Sequence, residues 1–388
     1  MSTTQASDMT PQGLLNDDGN YILQKDDMYN LLKYVWAGVL LPKDTATYQA
    51  RVQVSAATYT KISGVVTPLL ATYAVVQGHC QVFKSTTYPS IVGVANDVYN
   101  YAQDAGGAPD VSYYGNIFQS IRTLSTTTSQ SEQSNLKQVI NSLVDTQVQN
   151  ISAIQEKAKA LVEDLIGFKN QTLQDQAALK ERKQAVDDAL SSEVGNLDDL
   201  QADLKSNKIE LQDDEEELER DKIIACTTLT YAWIPFVGII AASIVAGLYG
   251  SAAAKMADKI DALHKLLVDE SGKIQDEKSL IADLTAVDTD LQSLLDAIEP
   301  AIKTLQAMST IWQDIATQLT NLRDMVNTDV RKANAIIATI EDAKLVDKWN
   351  TLARAVDRYR QAAYISPIQQ TTLDDLSQQL HKQAAVDA

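Results

Sequence analysis

Residues 223–254 read IIACTTLTYAWIPFVGIIAASIVAGLYGSAAA and contain no Asp, Glu, Lys, Arg or His. An acidic run (Asp213, Asp214, Glu215, Glu216, Glu217) precedes them, and Lys255, Asp258 and Lys259 follow. No other stretch of the chain is so apolar for so long. Polar sequence with helical periodicity flanks it on both sides, so any fold must find an apolar environment for its middle.

Two membrane geometries fit. A hydrocarbon core of about 30 Å needs about 20 apolar helical residues, which residues 227–251 supply as one kinked span. The alternative breaks the segment at Trp233-Ile234-Pro235-Phe236-Val237-Gly238. Pro235 lacks a backbone donor and disfavours helix at Ile234, and Gly238 adds conformational freedom. The arms are then residues 223–234, about 18 Å as helix, and 237–254, about 27 Å. The first is too short to cross a bilayer alone, so a hairpin that dips into one fits better than two full spans. The residues expected to insert are Ile223, Ile224, Leu229, Tyr231, Trp233, Ile234, Pro235, Phe236, Val237, Ile239, Ile240, Ile244, Val245, Leu248 and Tyr249. Among them Tyr231, Trp233 and Tyr249 suit an interface, with an apolar body and a polar tip. Gly238, Ala242, Ala246, Gly250 and Ala254 recur every four residues, the small-residue spacing that lets helices pack closely in lipid. A buried core hairpin in a soluble protein remains the competing reading.

Composition narrows the class. Aromatic residues make up 6% and prolines number eight in 388 residues, which favours long helices over sheets. A formal net charge of −18 argues against nucleic acid as a partner and against long-range attraction to anionic lipid. Membrane contact would rest on apolar burial. Two cysteines, Cys80 and Cys226, make neither a disulfide framework nor a metal-ligand spacing. Cys226 suits packing as a small hydrophobe. The opening MSTTQASDMTPQG lacks the basic-then-apolar pattern of a secretion signal. The expectation is a soluble protein that inserts later.

Along the chain, residues 1–19 are polar and expected to be mobile. Residues 21–41 carry Ile22, Met28, Leu31, Leu32, Val35, Trp36 and Val39 on one helical side. A second helix is expected over about 45–66, ending at Thr67-Pro68, and a mixed run reaches Lys84. Tyr88-Pro89 and Gly106-Gly107-Ala108-Pro109 are turn signals around a helix over 91–105. Residues 111–128 show no clean periodicity, and the Ser/Thr cluster at 125–131 reads as a connection. Ser129-Gln130-Ser131-Glu132 fits a capping box. It opens a run with Leu136, Ile140, Leu143, Ile151, Ile154, Ala158, Leu161 and Leu165 at three-four spacing. Continued to residue 220, with a possible kink at Gly195-Asn196, this helix would be about 130 Å long. Beyond the apolar segment the pattern resumes from Ile260 to about Ile340, interrupted at Pro300. Two matched arms joined by an apolar tip should pair antiparallel. A last helix carries Leu345, Trp349, Leu352, Val356 and Tyr359 and ends at Ile365-Ser366-Pro367.

Chemistry is not legible in this sequence. It has no glycine-rich phosphate loop, Ser-His-Asp arrangement or paired zinc-ligand motif, so no catalytic, cofactor-binding or metal residue and no cofactor are expected. His79 adjoins Cys80, which does not make a dyad, and His264 and His381 are scattered. The acidic run at 213–219 reads as a solvated helical face.

A long antiparallel helical body with an apolar hairpin at one end resembles the α-helical pore-forming toxins of the cytolysin A type. Asn20-Tyr21-Ile22-Leu23-Gln24-Lys25-Asp26-Asp27-Met28-Tyr29, followed by Gly38-Val39-Leu40-Leu41-Pro42, is similar to the N-terminal helix of A subunits of xenorhabdolysin-like binary toxins. Residues 308–323, MSTIWQDIATQLTNLR, resemble a segment shared by those subunits and a helical insecticidal crystal toxin. The resemblance implies an all-α fold: an elongated helical tail bundle and a long antiparallel coiled-coil neck ending in an apolar membrane-seeking hairpin. Applied here, it gives tail helices over 20–130, an outgoing long helix over 131–222 and a head hairpin over 223–254. A returning helix over 255–345 and a C-terminal tail helix over 346–388 complete it. It further implies a secreted, non-enzymatic cytotoxin subunit that binds the target-cell membrane and co-assembles with a B subunit into a ring-shaped lytic pore. A single-component pore former, a bitopic coiled-coil membrane protein and a soluble helical scaffold are the alternatives.

Overall fold

The computed structural model describes residues 9–23, 31, 35, 38–52, 55–191 and 276–362, together with short pieces (198–199, 201–203, 205–206, 231–232, 240–242, 258, 261–262, 265–266, 369–371, 378 and 381–382). Helices dominate: α1 (Thr45–Val52), α2 (Ala56–Val82), α3 (Tyr88–Ala105), α4 (Tyr113–Thr126) and α5 (Gln130–Leu190) precede the apolar segment. After it come α6 (Asp276–Thr328), α7 (Val330–Ile337) and α8 (Asp342–Ala362). The fold class is therefore the expected helical one. It carries one addition, a small antiparallel sheet of β1 (Tyr231–Ala232), β2 (Ile240–Ala242) and β3 (Gln369–Thr371).

Local chemistry starts these helices. Ser55 accepts from the Thr58 N–H at 3.2 Å, and Ser112 from the Gly115 N–H at 3.0 Å. Asp329 accepts from the Lys332 N–H at 3.2 Å and opens α7. Gly107, at φ +75°, makes the turn expected between α3 and α4, because only glycine adopts that angle without strain. The Ser/Thr-rich 111–128 region is mostly helix α4, with Ser112 as its cap.

Prolines depart from the sequence reading. Thr67-Pro68 does not end a helix: α2 continues through Pro68 to Val82. The missing donor frees only the Gly64 carbonyl, and Gly64 is exposed to water. No turn forms at Tyr88-Pro89: Phe83–Thr87 is π-helical and α3 follows it directly, with Pro89 as its second residue. Pro300 likewise lies inside the 53-residue α6. The returning run also ends sooner than Ile340, at Thr328, where Asp329 starts a new helix. The outgoing α5 is 61 residues, about 92 Å. Its expected continuation through Gly195-Asn196 lies largely outside the described residues.

The chain divides into two compact units. Residues 1–25, 88–165 and 301–361 form the first. Its core is aromatic: Trp312 of α6 and Trp349 of α8 are fully buried with Tyr114 and Phe118 of α4. The Tyr101 ring meets Trp312 edge-on at 5.0 Å, and Tyr114 stacks on Trp349 at 5.8 Å, geometries that aromatic rings favour. The Tyr101 and Tyr114 hydroxyls lie 3.2 Å apart, and burial pushes both phenols far above their ordinary range. Residues 9–14 reach this core, contrary to the polar appearance of the stretch. Met9 and Leu14 are buried, the Met9 N–H donates to Gln318 Oε1 at 2.9 Å, and Trp349 Nε1 donates to the Met9 carbonyl at 3.2 Å. Arg122 grips Asp342, the first residue of α8, through two hydrogen bonds of 2.7 and 2.8 Å, which raise its guanidinium pKa.

Residues 26–87, 166–300 and 362–388 form the second unit. Phe83 and Phe168 pack at 4.6 Å between ring centres, and six consecutive α6 residues, 280–285, are buried. Within that run Asp283 is wholly buried, and Tyr73 of α2 donates to its Oδ2 at 2.6 Å. A hydrogen bond to a carboxylate is worth about 1.5–3 kcal/mol. We therefore expect Tyr73→Phe to lower unfolding free energy by about that much, read from the urea midpoint at constant slope. An unchanged midpoint would show that this bond carries no stability.

Candidate functional site

The backbone of the apolar segment is described at five residues, and there it is extended. Tyr231 pairs with Ala242 and Ala232 with Ala241, antiparallel. The chain therefore reverses between Ala232 and Ile240, the stretch that holds Pro235 and Gly238. A third strand from the C-terminal region adds to β2, with Ile240 opposite Thr371, Ala241 opposite Gln370 and Ala242 opposite Gln369. Of the residues expected to insert, Tyr231 lies on β1 and Ile240 on β2. Ile223, Ile224, Leu229, Trp233, Ile234, Pro235, Phe236, Val237, Ile239, Ile244, Val245, Leu248 and Tyr249 lie outside the described residues. So do Gly238, Ala246, Gly250 and Ala254 of the small-residue spacing.

At these five positions the strands replace the expected helical arms. A uniformly apolar run offers no periodicity to separate helix from strand. The decision falls to ladder partners, and β3 provides one that lies far away in sequence. Ala242 is extended, so here the four-residue spacing from Gly238 to Ala242 does not form a helical stripe. Among the described residues no helix is long and apolar enough to cross a membrane.

His79 is not part of a cysteine dyad. Its Nδ1 lies 2.8 Å from Asp175 Oδ2, while Cys80 is buried in the core. Burial raises the Asp175 carboxyl pKa, and the hydrogen bond to His79 opposes that shift. The pair ties α2 to α5 within the second unit. Among the described residues no group of His, Cys, Asp and Glu is arranged to hold a metal ion, and the acidic run at 213–219 lies outside them. Sequence reasoning missed β3: Gln369-Gln370-Thr371 is short, polar and unpatterned, and only the Ile365-Ser366-Pro367 break hinted that a helix stops there.

Comparison with known proteins places this architecture. The family model for Bacillus haemolytic enterotoxin (HBL) matches residues 44–214. The pesticidal crystal protein Cry6Ba of Bacillus thuringiensis is 21% identical over 381 residues, spanning 94% of this chain and 93% of Cry6Ba. The HblL1 toxin component of Bacillus cereus superposes with a TM-score of 0.62 at 14% identity, covering 93% of this chain and 100% of that one. Soluble SmhB, of the tripartite α-pore-forming toxin Smh from Serratia marcescens, gives 0.58 at 12% identity and covers 99% of both chains. The chain shares the helical fold of these toxin components. Cry6Ba is a pesticidal crystal protein, in keeping with the crystal-toxin resemblance of residues 308–323.

Proposed function

We propose that this chain is a component of a multi-component α-helical pore-forming cytotoxin, secreted and then acting on a target-cell membrane. The observation that carries this reading is the end-to-end likeness to the HblL1 toxin component, which takes in nearly all of both chains. Residues 223–254 are the membrane-seeking head in this reading. Their uncharged length supports it, since transfer of apolar surface out of water yields about 25 cal/mol per Å². Contact with lipid releases the head, apolar burial drives insertion, and the helical bodies then associate laterally around the pore. The proposed role is that of an A subunit, which binds the membrane and helps a B subunit insert. The short arm before Pro235 suits partial insertion. A three-component arrangement is the second reading, favoured by the likeness to SmhB, which comes from a tripartite toxin.

Dye release from phosphatidylcholine–cholesterol vesicles tests this, using the full chain alone and with each protein encoded beside its gene. We expect vesicle binding by the chain alone and release only when one or two partners are added, one for the binary reading and two for the tripartite. Release by the chain alone would overturn the helper role. No binding and no release in any mixture would overturn the toxin reading.

A further inference from the structure

β3 belongs to the C-terminal segment, separated in sequence from β2 by α6, α7 and α8, yet it covers the edge of the apolar strand pair along all three residues of β2. The same segment makes a second, exposed contact. His381 Nε2 lies 3.2 Å from Asp261 Oδ2, on the helical residues that follow the apolar segment. Both contacts fall within the second unit. The composition of the segment is opposite to that of the strand it covers. Gln369, Gln370 and Thr371 are polar, and Asp374, Asp375, His381 and Lys382 come after them, whereas β2 reads Ile-Ala-Ala.

That mismatch has a physical consequence. Hydrocarbon tolerates neither an open sheet edge nor a polar strand, because unpaired backbone groups and polar side chains find no partners there. While β3 is paired, the β2 edge is satisfied but carries polar residues that cannot follow it into lipid. Once β3 leaves, β2 has one row of unpaired N–H and C=O groups, a condition stable in water and unstable in lipid. Re-forming residues 231–242 as helix satisfies every backbone group internally. We propose that Gln369–Thr371 is a strap that holds Ile240–Ala242 of the apolar head in a water-stable, extended form, and that peeling β3 from β2 is an obligatory step before insertion. This inference rests on the membrane-acting reading above and adds to it the element that restrains the head. The ladder supplies the restraint, and the exposed His381–Asp261 pair adds little.

A cross-strand disulfide reads the strap directly. Directly opposed antiparallel residues have Cα atoms about 4.5–5.5 Å apart, inside the range that a disulfide spans. In full-length protein carrying Cys226→Ser, Ala241→Cys with Gln370→Cys is expected to cross-link under mild oxidation, as seen by mass spectrometry. The oxidised protein should lose dye release in the mixture that is active for wild type, and dithiothreitol should restore it. Ala242→Cys with Gln369→Cys is the second lock, used if the first pair gives an inactive reduced protein. Failure of both pairs to cross-link would overturn the pairing. Cross-linked protein that releases dye like its reduced form would overturn the strap while leaving the toxin reading intact. Wild-type protein inactive in every mixture would instead overturn the toxin reading, and the disulfide yield in solution would still report the pairing independently.

Discussion

Ile239→Asp, Ile240→Asp and Val245→Asp, combined in one chain, are expected to abolish dye release while leaving the helical circular dichroism signal unchanged. A carboxylate at the centre of an inserted helix costs about 2.5–3.5 kcal/mol on insertion scales, so three of them cost roughly 8–10 kcal/mol. That is as large as the whole free energy of a micromolar interaction, about 8 kcal/mol, and apolar burial of one short head cannot absorb it. Helicity should persist because none of these positions lies in α1 to α8. Ile240 lies on β2, so loss of that strand pairing is a second route to a changed head. It is distinguished by vesicle binding, which the triple variant should lose together with release. Full release by the triple variant would sink the assignment of residues 223–254 as the membrane-inserting head.

Trp349→Ala is expected to be the most damaging single substitution in the first unit, lowering unfolding free energy by about 3–5 kcal/mol. Its indole is fully buried and touches three other rings: Tyr101 at 5.2 Å, Tyr114 at 5.8 Å and Trp312 at 6.0 Å. Truncation leaves a void between α3, α4, α6 and α8 that rigid neighbours cannot fill, and strands the Met9 carbonyl without its donor. Trp349→Phe keeps much of the ring contact and loses only the N–H, so it should cost markedly less. Urea unfolding monitored at the helical signal checks both. A Trp349→Ala midpoint within error of wild type would contradict the packing described for this core.

The helical body was legible because its signal is periodic. Leu136, Ile140, Ile151, Ile154, Leu161 and Leu165 announce a buried stripe by spacing alone, and Ile140, Ile151, Ile154, Leu161 and Leu165 are buried on α5. Glycine at position 107 marked its turn for an equally local reason, the angle only glycine takes freely. Where local signals misled, burial or solvation outweighed them. Pro68 and Pro300 are helix breakers by propensity, but each removes one donor, and packing of the rest of α2 and α6 outweighs that loss. Met9 and Leu14 look like isolated apolar residues in a polar leader, and the donor offered by Trp349 and the acceptor offered by Gln318 place Met9.

The apolar segment divides the two kinds of information most clearly. Its uncharged length, its Pro235–Gly238 break and its place between two helical runs are properties of the chain itself, fixed by the chemistry of single residues and their order. Whether Ile240–Ala242 is helix or strand is not such a property. A continuous apolar run satisfies either geometry, and a strand needs partners for its backbone groups. Those partners are Tyr231–Ala232 on one side and Gln369–Thr371 on the other, and the latter lie beyond α6, α7 and α8 in sequence. Sequence alone determined that this protein carries a long uncharged apolar segment between two helical runs; the tertiary structure alone decided what Ile240–Ala242 is paired with, because hydrogen-bond partners this distant leave no trace in local periodicity.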